Sequence, residues 1–295
     1  MQSSQSPVFT VGRMDESGRG FTITEVLVTI SILALLLALT IPAVQSARAA
    51  AARVDCQSRL KQIILASHNY EASFQRFPGS FGATNWQRRL MPYLEEDEQT
   101  EKHPSLACPA DPLAEGKLDR SMISYHMNDG FGDDEGLCHE EMPLRLSDIT
   151  DGLSQTAAFA ERMAVPDPLV HSYYPTPSPE LWIRVFRKTA VYRADRRAFA
   201  TECGDRALEP RFETWEIRGY THTLTPNRNS CFNGPFRDDE DYLTPAITPS
   251  SLHSGGINVA VADGAVRFIS TSVDLEVWWA LGTRSGGETN AGSAF

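Results

Sequence analysis

The sequence predicts an α+β protein in which a long N-terminal, membrane-spanning helix continues onto an antiparallel β-sheet domain. Three observations predict it. Residues 26–44 (VLVTISILALLLALTIPAV) carry no charge and only Thr29, Ser31 and Thr40 as polar interruptions, about the length needed to cross a ~30 Å hydrocarbon core. Beyond an alanine-rich stretch at 43–52, Leu60, Ile63, Ile64, Ser67, Tyr70 and Phe74 recur at helical spacing, so the helix goes on with one face suited to burial. After Pro78 the pattern changes to short segments split by Gly, Pro, Asp and Asn, and Asp263-Gly264 between two apolar runs signals a tight hairpin.

The apolar run comes first in the chain. A buried core helix can be this apolar, but burying nineteen uncharged residues at the start of a polar chain would need a much larger core around them. A cleaved secretory signal would show about 7–15 apolar residues and then a small-residue cleavage site. This run is longer, and no such site follows it. A single span is therefore expected. Ahead of it stand Arg19-Gly20-Phe21-Thr22-Ile23-Thr24-Glu25, with a lone carboxylate inside an apolar helix. An ionised carboxylate in lipid costs on the order of several kcal/mol and persists only with a partner. The segment resembles the prepilin peptidase site of type IV pilins and type II secretion pseudopilins. That resemblance implies cleavage between Gly20 and Phe21, N-methylation of Phe21, and retention of Glu25 in the bilayer for subunit assembly. The free amine of a neighbouring subunit is a suitable partner for Glu25. Pro42 matches a proline common in pilin helices, where it removes one backbone hydrogen bond and kinks the rod.

Basic residues flank the span unevenly, since only Arg13 and Arg19 precede it whereas Arg48, Arg53, Arg59 and Lys61 follow it. A positive-inside count places the following domain in the cytoplasm. The prepilin resemblance implies the reverse, because such leaders are read by dedicated machinery and long domains translocate despite flanking charge. The expected organisation is a leader over 1–20, a transmembrane helix over 21–47, its amphipathic continuation over 48–76, and an exported sheet-rich domain over 77–295. At ~1.5 Å per residue, a helix from Thr22 to Phe74 approaches about 80 Å, half in lipid and half across a sheet, which is a pilin-like arrangement. Arg76-Phe77-Pro78-Gly79 ends it. Residues 86–94 (WQRRLMPYL) predict a short helix broken at Pro92, and 121–127 and 155–162 (QTAAFAER) predict strands. The clearest pattern is the hairpin 257–269. There Ile257, Val259 and Val261 alternate with Asn258, Ala260 and Ala262, and Asp263-Gly264 reverses the chain into residues 265–269 (AVRFI).

His253, followed after nine residues by Asp263-Gly264 within SLHSGGINVAVADGAVRFIS, resembles the prepilin-type H-X9-DG domain of a large, mostly planctomycete family, domain of unknown function number 1559. Residues 56–70 (CQSRLKQIILASHNY), Phe77-Pro78, 90–95 (LMPYLE), 108–112 (CPADP) and 147–156 (SDITDGLSQT) agree with that family. Residues 165–241 depart from it and read as a variable insertion. The family implies an architecture and no established activity.

Composition excludes some functions. A formal net charge of -11, with no long run of Lys or Arg, argues against nucleic acid as a partner. No GxSxG, HExxH, phosphate-binding or dinucleotide glycine loop occurs, so the common motif-borne enzymes are absent and no catalytic residue is assigned. The five cysteines show no CxxC pair, and in an exported chain they permit one or two disulfides of unspecified pairing, with at least one thiol left over. His253 and Asp263 invite an acid-base or metal reading, but Asp263 is the residue a turn calls for and spacing offers no third ligand. Asp238, Asp239, Glu240 and Asp241, and Asp129 with Asp133, Asp134 and Glu135, are hard-oxygen clusters of the kind that suits calcium. Neither fits EF-hand spacing, and a solvated charge run is their ordinary reading. His68 reads as a packed helix residue.

The expected role is a pilin or pseudopilin-like structural subunit in the inner membrane, single-pass, with its C-terminal domain periplasmic or extracellular. Its expected partners are lipid, a prepilin peptidase and other pilin-like subunits, with no cofactor beyond the calcium possibility. The alternative is a monomeric anchored module binding a solute or polysaccharide, with Trp215, Tyr220, Trp278 and Trp279 lining a site. Core packing is the favoured reading of those aromatics.

Overall fold

The computed structural model describes residues 22–79, 86–97, 99–100, 102–114, 123–131, 135–138, 144–164, 189–190, 195–205, 219–228, 230–233, 244–288 and 292. The chain divides into two compact units, Met1–Arg48 and Ala49–Phe295.

Helix α1 runs from Ile23 to Phe74, 52 residues, and continues through Pro42. Its start is closed by a reciprocal capping box. The Glu25 carboxylate accepts from the Thr22 amide and hydroxyl, both at 2.8 Å, and the Thr22 hydroxyl accepts from the Glu25 amide at 3.3 Å. Its end comes at Phe74, where Gln75 turns left-handed with φ 54°, just ahead of the Arg76–Gly79 stop. Within the first unit the helix buries nothing: Leu33 and Leu36 are 58% and 53% exposed. It is long and apolar enough to cross a membrane, and none of its most apolar stretch is buried.

In the second unit the helix behaves differently. Cys56, Leu60, Ile63, Ile64, Ala66, Ser67 and Tyr70 are buried, a spacing of three and four residues that forms one stripe. Phe74, expected on that stripe, is 52% exposed because the helix ends beside it. The chain then forms α2 (Trp86–Leu90), β1 (Tyr125–Met127), β2 (Ala157–Glu161), β3 (Thr189–Ala190), α3 (Arg196–Asp205), β4 (Cys231–Asn233), β5 (Thr244–Ala246), β6 (Gly256–Val261), β7 (Val266–Ser270) and α4 (Leu275–Gly282). After α2 the chain tightens into a 3-10 turn at Met91–Tyr93, with Pro92 at its start. A four-stranded antiparallel sheet has the order β1-β2-β6-β7. A smaller sheet orders β3-β4-β5.

Of the strand expected over 121–127, Tyr125–Met127 forms β1, the Ser124 amide bonds the Leu106 carbonyl, and residues 121 and 122 lie outside the described residues. The alternation on β6 is buried on both faces. Ile257, Val259 and Val261 join a core with Trp278, Leu281 and Phe199. Ala260 and Ala262 join the other core, with Leu60, Ile63 and Ile64 of α1. Small side chains on that face let the helix lie close to the sheet. Gly256 meets a different demand at the hairpin's start, since a Cβ there would collide with the Ile269 carbonyl of the partner strand.

Candidate functional site

Polar contacts from one ridge of α1 hold the H-X9-DG hairpin to the helix. Arg53 sits over the Phe268 ring at 3.4 Å, Gln57 donates to Asn258 Oδ1 at 2.9 Å, and Lys61 donates to the Gly264 carbonyl at 2.5 Å. These residues are four apart and so stack on one face. Arg59 donates to the carbonyls of Pro104 and Ala107. Three of the four basic residues that follow the apolar run are thus engaged within the folded second unit.

The motif's two ends do different work. Asp263 Oδ1 accepts from the Ala265 amide at 2.8 Å, and Gly264 adopts φ +91°, so this pair shapes the turn as turn chemistry demands. His68 of α1 packs beside Gly264 and edge-on to Phe77, consistent with a packing role. His253 is buried, and its hydrogen-bond-range neighbours are Glu161 and Cys108 rather than Asp263. Its Nε2 lies 3.3 Å from Glu161 Oε1 and 3.7 Å from Cys108 Sγ. Glu161 also accepts from the Asn258 amide at 2.8 Å and from Asn258 Nδ2 at 2.7 Å. Cys108 is joined to Cys56 of α1 by a disulfide spanning 52 residues.

The hairpin therefore covers a buried polar layer assembled from α1, the Cys108 loop, β2 and the loop before β6. Burial, and next the charge of Glu161, push the Tyr125 phenol well above its usual range, and its hydroxyl bonds the Cys56 carbonyl at 3.4 Å. Arg162 is wholly enclosed, and burial lowers its guanidinium to about 10, opposed by the nearby Asp111 charge. Its Nε and Nη2 have no hydrogen-bond partner among the described residues. A cavity of ≈ 10 Å³, about the room one water needs, is lined by Cys108, Asp111, Ser124, Glu161, Arg162 and Ser250 among others. Among the described residues, Cys56, Cys108, Glu161 and His253 form a group whose ligand-type atoms all lie within 4.8 Å of one another.

Gly20, Phe21, Trp215, Asp133, Asp134 and the cluster Asp238, Asp239, Glu240 and Asp241 lie outside the described residues. Glu135 pairs with Arg196 at 2.9 Å. Tyr220 and Trp278 are fully buried and Trp279 is 8% exposed, so these three serve the core. Trp278 stacks on His222 at 3.9 Å, and burial drives His222 down to about 3 against a raising bond to the Trp278 carbonyl.

Sequence reading missed Glu161, Cys56, Cys108 and Asn258 as one site, since they meet His253 only through long-range packing. The capping role of Glu25 was available in the pattern Thr22-x-x-Glu25.

A family model described as "Protein of unknown function (DUF1559)" matches residues 45–105 and 99–276. No curated protein and no solved structure matches the chain.

Proposed function

The chain belongs to the DUF1559 family of unknown function, and on that premise we propose that it is a membrane-anchored, pilin-like structural subunit. In this reading a prepilin peptidase cleaves between Gly20 and Phe21, Phe21 is N-methylated, and the second unit is displayed outside the inner membrane. The observation that carries it is the first part of α1, whose apolar side chains bury nothing within the chain and whose sole acid is Glu25. Such a surface is stable in lipid or against copies of itself. The engagement of Arg53, Arg59 and Lys61 by the folded unit supports the exported topology, because those charges then serve packing rather than retention.

Glu25 is held by Thr22 in the isolated chain. Assembly would exchange or supplement that cap with the amine of a neighbouring subunit. Crosslinking in native membranes tests the subunit role: ladders of the chain with itself are expected, and Glu25→Ala should shorten them while leaving membrane insertion intact. A wild-type chain that crosslinks only as a monomer contradicts the proposal.

A groove of ≈ 510 Å³ lined by Asp195, Arg196, Arg197, Glu276, Trp279, Ala280 and Glu288 is what favours the second reading, an anchored solute- or polysaccharide-binding module. Monomeric crosslinking together with saturable oligosaccharide binding, lost on Arg196→Ala, would select it.

A further inference from the structure

We propose that Cys56, Cys108, Glu161 and His253 form a zinc site when the Cys56–Cys108 bond is reduced, so that disulfide and metal are alternative closures of one buried layer. The donor set is two sulfurs, an imidazole nitrogen and a carboxylate oxygen, a combination that selects zinc over calcium or magnesium. All four residues are buried, and their donor atoms lie within 4.8 Å of one another.

The distances fit a tetrahedron. Zinc bond lengths of ~2.0–2.1 Å to nitrogen, ~2.0–2.2 Å to oxygen and ~2.3 Å to sulfur imply edges of about 3.3 Å for N···O, about 3.6 Å for N···S and about 3.8 Å for S···S. His253 Nε2 stands 3.3 Å from Glu161 Oε1 and 3.7 Å from Cys108 Sγ. Two of the six edges are therefore in place, the sulfur-sulfur edge must open, which cleavage of the covalent bond permits, and the other three already lie within 4.8 Å. The outer support is also present. Asn258 donates twice to Glu161 and accepts from Gln57, so the carboxylate is oriented by a residue that is itself held. Two thiolates and a carboxylate leave the zinc complex with net negative charge. Arg162, buried with two nitrogens unpartnered among the described residues, lines the same cavity as Cys108 and Glu161.

The redox step balances with a trialkylphosphine as reductant. The sulfur-sulfur bond breaks, each sulfur gains a proton, and the phosphine becomes a phosphine oxide with oxygen taken from water. Zn²⁺ then displaces both thiol protons and is coordinated by the neutral His253 ring through Nε2 and by the Glu161 carboxylate.

The test uses the full chain in detergent micelles, reduced with phosphine under anaerobic conditions, desalted, given Zn²⁺ alone and passed over a chelating resin. The reduced chain should retain about one Zn²⁺ and the oxidised chain none. Co²⁺ in its place should give thiolate charge-transfer absorption in the near ultraviolet and tetrahedral bands in the visible. Asn258→Ala, which touches the ligand Glu161 but not the ion, should weaken zinc binding by about 10–100-fold. Equal retention by oxidised and reduced chains, retention by the Cys56→Ser/Cys108→Ser double variant, or no retention by the reduced chain each overturns the proposal. The oxidised and reduced wild-type chains decide it even where a variant fails to fold.

Discussion

The two parts of helix α1 share one backbone and have opposite fates. Up to Arg48 every described side chain is exposed, Leu33, Leu36 and Leu39 among them. From Ala49 a stripe headed by Cys56, Leu60, Ile63 and Ile64 disappears into a core. The difference is one of partner. The later part is sealed by the chain's own sheet, whereas the earlier part presents an exposed, leucine-rich surface long enough to cross a membrane.

The largest effect should come from truncating matched leucines in the two parts. Leu60→Ala should lower the denaturation free energy of the second unit by about 2–5 kcal/mol, read by tryptophan fluorescence in detergent. Leu36→Ala should leave it within about 0.5 kcal/mol. Equal losses would erase the contrast. The covalent tie between α1 and the Cys108 loop comes next: Cys56→Ser with Cys108→Ser, lacking added metal, should cost about 2–5 kcal/mol in the same assay.

A smaller effect sharpens the claim that the second unit has a dry core. At ordinary pH His222 is neutral in both folded and unfolded chains, and the folded state keeps its full stability. Below its ordinary value of 6.5 the unfolded chain takes up a proton that the folded chain, held near 3, refuses. Stability should therefore fall by up to about 1.4 kcal/mol per pH unit as pH drops from 6.5 toward 5, measured by denaturation at each pH. His222→Gln should flatten that slope. Smallest is Gly264→Ala, where φ +91° strains any other residue. About 1 kcal/mol is expected, with the Lys61 contact loosened.

Much of this was legible before any coordinates. The uncharged run, the helical spacing of Leu60, Ile63, Ile64, Ser67 and Tyr70, and the Asp263-Gly264 turn are local patterns, and local physics decides them. The start of the strand at Tyr125 was not legible, because nothing local reveals that the Ser124 amide bonds Leu106. His253 suggested chemistry, yet the pairing that spacing invited, with Asp263, does not occur. Its neighbours Cys108, 145 residues away, and Glu161 come to it through sheet order and the path of α1, which no periodicity encodes. The Cys56–Cys108 disulfide was equally hidden, since five scattered cysteines allow many pairings.

The basic residues after the apolar run carry two readings. Counted as topology signals, Arg53, Arg59 and Lys61 point the domain inward. Placed in the fold, they clasp Phe268, the Pro104 and Ala107 carbonyls and Gly264.

The proposed role of the first part of α1 as a processed anchor depends most on where the mature chain begins. Intact-mass and N-terminal peptide mass spectrometry of the chain from membranes of cells with an active prepilin peptidase measure this directly. A chain beginning at N-methylated Phe21 is the predicted result, and one still beginning at Met1 would contradict the processed, pilin-like anchor.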